Sequence, residues 1–372
     1  MTDLPGAPKR SSISGVSLRQ FLARSSVIVP VEKRERLGDT PDAMPDSSYA
    51  AARWLPGAHL QTAWGTLARP RRAITTRREI LRTPDDDELI VDHCDVPDAT
   101  QRVVLLHGLE GSSNSVYVQG MMKLLRERGI SASAMNFRSC ARDPLNLNRS
   151  IPNHAARFYH SGETTDLDFL IGILRARAPE ERLAAIGVSL GGNVLLKWLG
   201  EHAGQTAVER ASAISTPYDL SAGARHLERG MGRVYVARFL RTLKLKAAAA
   251  ASRFPAAGER MDMDLAMRAR TFREFDEGAT GPLHGFAGAD DYYTRCSSLG
   301  FVDAIDTPTL CISASDDPFL PESVLHEVNQ RRSKSVELVV TERGGHVGFV
   351  VGWPFRWQHW AEHRAVEWVS RA

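Results

Sequence analysis

The chain of 372 residues has no run of about 18 apolar residues, so a membrane-spanning helix is not expected. Cysteine is scarce. Cys94, Cys140, Cys296 and Cys311 lie far apart and form no C-x-x-C, so the sequence indicates no disulfide framework, and a reducing, cytoplasmic compartment is expected. The 12 histidines include no H-E-x-x-H, and no clustered ligand set calls for a metal or any other cofactor. Charge of one sign is also lacking: 47 basic against 44 acidic side chains leave a formal charge of +3, too little to indicate a nucleic-acid partner. There is no internal repeat and no signal-peptide apolar core.

With 43% hydrophobic and 24% charged residues, the composition is that of a globular protein with room for one large α/β domain and an insertion. Residues 1–52 read as a flexible leader, because Pro5, Pro8, Pro30 and the charged stretch Glu32 to Arg36 cannot build a core. Asp3 is the single acid among residues 1–31, which makes a transit peptide the alternative. Arg53-Trp54-Leu55-Pro56-Gly57-Ala58-His59-Leu60-Gln61-Thr62, followed by Trp64, reads as a segment docked on a main domain spanning 53–372, by simple packing or with a direct role at a site. The basic residues Arg69, Arg71, Arg72, Arg77 and Arg78 read as a solvated face, with peripheral contact to an anionic lipid surface as the alternative.

Strands are expected at Ile74 to Leu81 and Glu88 to His93, joined by a turn at Thr83-Pro84-Asp85-Asp86-Asp87. Arg102-Val103-Val104-Leu105-Leu106 is an unbroken apolar run of the kind buried on both faces. Tyr117, Met121, Leu124 and Leu125 then fall at helical spacing, followed by a strand over Ile130 to Phe137 and a second helical stripe of Leu167, Leu170, Ile171 and Leu174. Further strands are expected at Arg182 to Val188, Arg210 to Ser215, Thr309 to Ser313 and Val336 to Val340, with helices at Val194 to Leu199, Glu322 to Gln330 and around Trp353 to Trp368. Such alternation implies an α/β fold with a mostly parallel, doubly wound sheet. Residues from about 218 to 285 break the rhythm and read as helical, a cap over a substrate pocket.

Gly187-Val188-Ser189-Leu190-Gly191 lies between a strand and a helix, the setting of a nucleophile elbow. Glycines on both sides let strand and helix approach a serine in a strained turn. The same turn aims the Leu190 N–H at the start of a helix, where amides lack internal partners and anions are favoured. A serine hydroxyl needs a base, and the base needs an orienting acid. In chain order, Asp317 follows the strand Thr309 to Ser313 and His346 follows Val336 to Val340. Asp316 competes for the acid role, and Asp317 is preferred because Pro318 would rigidify its loop. Leu109, in His107-Gly108-Leu109, is the expected second oxyanion donor through its backbone N–H, whereas His107 reads as a structural hydrogen bonder.

Together with Asn136-Phe137-Arg138, Tyr159-His160-Ser161-Gly162, Phe275-Asp276-Glu277, Tyr292-Tyr293 and Gly344-Gly345-His346-Val347-Gly348-Phe349, these segments resemble AB hydrolase family 4 from about Trp54 onward. Those are the YheT-like α/β-hydrolases, related to mammalian α/β-hydrolase-domain lipid hydrolases. The resemblance implies a serine hydrolase of the carboxylesterase type, acting on a small-molecule ester or a lipid, with Ser189, Asp317 and His346 as its triad. It departs from the family at Arg138-Ser139-Cys140, where a glycine after the arginine is more usual. Acyl transfer to an alcohol by the same acyl-enzyme, and a silent binding protein on the same fold, are the alternatives.

Overall fold

The computed structural model describes residues 49–67 and 74–371; most of the expected leader, together with Arg69, Arg71 and Arg72, lies outside the described residues. The compact unit begins at Tyr49, a few residues before the boundary expected at 53. Ala52 is buried and its N–H donates to the Val350 carbonyl at 2.9 Å.

In chain order the described strands are β1 (Arg77–Arg82), β2 (Glu88–Cys94), β3 (Gln101–Leu106), β4 (Ser131–Asn136), β5 (Arg142–Asp143), β6 (Asn146–Ser150), β7 (Arg182–Val188), β8 (Val208–Ile214), β9 (Thr309–Ala314), β10 (Val336–Thr341), β11 (Val350–Trp353) and β12 (Arg356–His359). Eight of them form one sheet in the order β1-β2-β4-β3-β7-β8-β9-β10. β1 and β2 pair antiparallel, as do β2 and β4, and every pair from β4 to β10 is parallel.

The unbroken apolar strands follow from burial on both faces. Val104 and Leu106 of β3 enter one core with Leu170, Leu195 and Trp198, while Val103 and Leu105 enter the opposite core with Val118, Leu125 and Val366. Each such side chain contributes roughly 1.5–3 kcal/mol through burial, so one register slip would forfeit several contributions at once.

Between β8 and β9 the chain is helical from Leu220–Leu227 through Ala289–Cys296, including a 22-residue helix, Gly232–Arg253, and a π-helical turn, Asp276–Thr280. The long helix buries Val236, Leu240, Leu243, Ala247 and Ala250, one stripe at helical spacing. These helices share a core, with Phe158 and Phe275, that is separate from the two sheet cores.

The C-terminal region differs from the expected single helix around Trp353 to Trp368. Gly352 at φ 91° and Pro354 turn the chain into the β11–β12 hairpin, and the helix begins only at Trp360. Between β4 and the helix Thr165–Arg177, a stretch rich in arginine and asparagine contains the small β5–β6 hairpin. The turn after β1 is an ionic hub: buried Arg138 reaches Asp85 at 2.7 Å, Asp87 at 2.9 Å and Asp166 at 2.6 Å. Ser139 beside it has φ 63°, the left-handed conformation that explains the usual glycine there.

Candidate active site

Ser189 sits between β7 and the helix Leu190–Glu201 with φ 53° and ψ −121°, a backbone state rare for a residue with a side chain. The surroundings enforce it. The Ser189 N–H donates to the Ile214 carbonyl at 2.8 Å, and a Cβ on Gly187 would come within 2.4 Å of the Gly191 carbonyl.

Asp317 and His346 stand beyond the carboxyl ends of β9 and β10, the edge at which open parallel sheets hold ligands. Nε2 of His346 lies 2.9 Å from Ser189 Oγ, and Nδ1 lies 2.9 Å from Asp317 Oδ2. With the proton on Nδ1 directed at the carboxylate, Nε2 is left to accept from the serine hydroxyl. Phe319 stacks on the imidazole with ring centroids 4.1 Å apart. Asp316 points elsewhere. Its carboxylate accepts the Gly345 N–H at 2.8 Å and so braces the histidine loop.

In the turn after β3, the Gly108 N–H donates to the Tyr117 hydroxyl at 2.8 Å and the Glu110 N–H to the Tyr159 hydroxyl at 2.7 Å. The Leu109 amide lies between these two anchored peptides. Gly108 approaches so closely that an added Cβ would stand 3.1 Å from Ser189 Cβ. His107 donates from Nδ1 to the Gly108 carbonyl at 2.8 Å and accepts the Phe137 N–H on Nε2 at 3.1 Å. Burial lowers its pKa to about 4, which keeps it neutral as that geometry requires.

Ser189 and His346 open into a cavity of about 790 Å³ whose other walls include Leu109, Leu227, Tyr235 and Phe239. That volume admits a molecule well beyond acetate in size. Among the described residues no group of His, Cys, Asp and Glu could hold a metal ion, and no helix is long and apolar enough to cross a membrane.

The sequence profile of the α/β-hydrolase fold matches residues 101–352. The YheT protein of Escherichia coli (strain K12), a candidate esterase by its name, is 34% identical over 337 residues, covering 89% of this chain and 96% of its own. The chain belongs to the YheT-like α/β-hydrolases. Mouse phospholipase ABHD3 is 31% identical over 302 residues, covering 78% of this chain and 71% of its own. Among solved structures, the Pyrococcus furiosus esterase Pf2001 superimposes with a TM-score of 0.52 at 19% identity, covering 81% of this chain and 97% of that one. By family the chain is thus a hydrolase.

Several residues that sequence reasoning left without a role support this YheT-like hydrolase's site. Thr62, on the docked helix Ala58–Leu67, accepts the His346 N–H at 2.9 Å, and Gln61 accepts the Val350 N–H at 2.8 Å. That helix therefore holds the histidine loop as well as packing on it. Ser215, at φ 51°, accepts the Val347 N–H at 3.0 Å. Tyr159 grips Glu110 twice, because its hydroxyl also donates to Oε1 at 2.8 Å. Lys246, from the long helix Gly232–Arg253, reaches the same oxygen at 2.6 Å and lies 4.7 Å from the centroid of the Tyr159 ring. Burial pushes the Glu110 carboxyl up, but the Lys246 ammonium and the Thr242 and Tyr159 hydroxyls together outweigh it and the net pKa is lowered. The one signal in sequence was the unassigned match at Tyr159; nothing local marked Lys246, which is 136 residues from its partner.

Proposed function

We propose that this hydrolase is a serine carboxylic ester hydrolase that works through an acyl-enzyme on Ser189. His346 takes the Ser189 proton as the hydroxyl attacks the ester carbonyl, and Asp317 fixes the tautomer and stabilises the imidazolium. The Leu109 and Leu190 amides receive the oxyanion. His346 then protonates the leaving alcohol, and water repeats the sequence on the acyl-enzyme. The observation that carries this reading is the hydrogen-bond chain from Asp317 through His346 to Ser189, 2.9 Å at each link, opening into the cavity.

The mostly apolar lining, and the phospholipase name of the mouse relative, favour lipid esters among the substrates. All four cysteines are free, buried thiols, which supports a cytoplasmic setting. A fluorophosphonate probe is expected to label the parent at Ser189, and Ser189→Ala is expected to lose several powers of ten in kcat on p-nitrophenyl esters. Near-full activity in a folded Ser189→Ala variant would reject the assignment.

A further inference from the structure

The cavity wall carries a carboxyl group that the ester chemistry leaves unused. Asp276 opens the π-helical turn Asp276–Thr280, a rare distortion that recurs at functional sites. It lines the same cavity as Ser189 and His346, beside Phe272, Tyr292 and Tyr293. Its Oδ1 accepts from the Thr280 hydroxyl at 2.6 Å and its Oδ2 from the Tyr293 hydroxyl at 2.7 Å. Both donors are neutral. Among the described residues no lysine, arginine or histidine forms an ion pair with Asp276; Arg273, on the preceding turn, is paired with Asp290.

Hydrogen bonding and charge therefore have different standing at this carboxyl: each oxygen has a donor, but the charge has no counterion. Burial raises its pKa to about 6, so the ionised form still dominates at neutral pH and bears an uncompensated cost. A neutral hydroxyl from a ligand would add a third donor where two already serve. A positive charge would supply what is missing. The neighbouring residues suit it as well, since Phe272, Tyr292 and Tyr293 line the same cavity and aromatic rings attract cations.

We propose that Asp276 anchors a subsite for a positively charged ammonium group carried by the ester substrate. The inference rests on the reading of Ser189 as the nucleophile in the same cavity. It does not fix whether the ammonium lies on the acyl or the alcohol side of the ester, so two matched pairs are compared. One is a choline ester against the 3,3-dimethylbutyl ester of the same acid. The other is p-nitrophenyl 6-aminohexanoate against p-nitrophenyl heptanoate.

In at least one pair the parent enzyme is expected to favour the cationic member about tenfold in kcat/KM, within the range of a desolvated cation at an aromatic and anionic site. Asp276→Asn is expected to erase that preference while holding the neutral member within about threefold. Tyr293→Phe, which keeps the charge, is expected to retain the preference. Tetramethylammonium is expected to inhibit the parent competitively, and Asp276→Asn about tenfold less well.

Absence of a cationic preference in both pairs overturns the proposal even if Asp276→Asn fails to fold, and so does a preference that Asp276→Asn leaves unchanged. Fluorophosphonate labelling is run alongside. Labelled Ser189 with no cationic preference removes the ammonium subsite alone, whereas failure to label the parent removes the nucleophile assignment beneath it.

Discussion

Replacing Lys246 with methionine keeps most of the apolar stem of the side chain and deletes its ammonium group. The ammonium lies 2.6 Å from Glu110 Oε1 and 3.1 Å from Cys140 Sγ, and the side chains of Lys246 and Glu110 are each only 12% exposed. Removing one partner of a buried pair costs about 3–5 kcal/mol when the other stays in place. Glu110 already sits at φ 56°, so its turn can relieve that cost by swinging the carboxylate toward water. Such a swing would rotate the peptides on either side and carry the Leu109 N–H off the position proposed for the oxyanion. Loss of one such donor costs about 2.7–4 kcal/mol of transition-state stabilisation, or about 10²–10³ in kcat. Steady-state kinetics of Lys246→Met on p-nitrophenyl butyrate are therefore expected to give a kcat lowered about a hundredfold, with KM within about threefold. The double variant Lys246→Met/Glu110→Gln leaves no unpaired carboxylate and is expected to regain much of the loss, with a coupling energy above about 1 kcal/mol. A folded Lys246→Met enzyme with kcat within about twofold of the parent, and a coupling below about 0.5 kcal/mol, would refute the link between the helix Gly232–Arg253 and the turn proposed to hold the oxyanion.

Other substitutions separate neighbouring roles. Asp317→Asn is expected to lower kcat by about 10⁴ through loss of the correct imidazole tautomer, whereas Asp316→Asn, which touches the Gly345 N–H, should lose less than about tenfold; equal losses in the two kinetic series would contradict the assignment. Gly191→Ala would drive a Cβ within 2.6 Å of the Leu106 and His107 carbonyl oxygens, and denaturant unfolding is expected to record a loss of at least about 3 kcal/mol. Asp276 has its pKa raised to about 6 in the folded state against an ordinary value of 3.8, so the folded form holds the proton more tightly. Its stabilising contribution is complete below about pH 4 and is lost as pH rises to about 6, up to about 3 kcal/mol. Asp276→Asn should therefore gain on the parent across that window in melting curves, and a difference that does not vary with pH would contradict the raised pKa.

The sheet and the chain order of Ser189, Asp317 and His346 were legible in the sequence because their signals are local. A strand buried on both faces must be apolar at every position, as in Val103 to Leu106, and a serine in a left-handed turn needs glycines within two residues of it. The turn chemistry at Gly352 and Pro354 was equally local, but the tryptophans around it read as a helical stripe and hid the β11–β12 hairpin. What supports the site came from tertiary contact alone. Thr62 is 284 residues from His346 and Lys246 is 136 from Glu110, and no periodicity in a sequence reports a hydrogen bond across such separations. Likewise, that Asp276 lines a cavity with no counterion among the described residues depends on how the helices between β8 and β9 pack, since burial and the placement of neighbouring charges belong to the folded arrangement and not to any single segment.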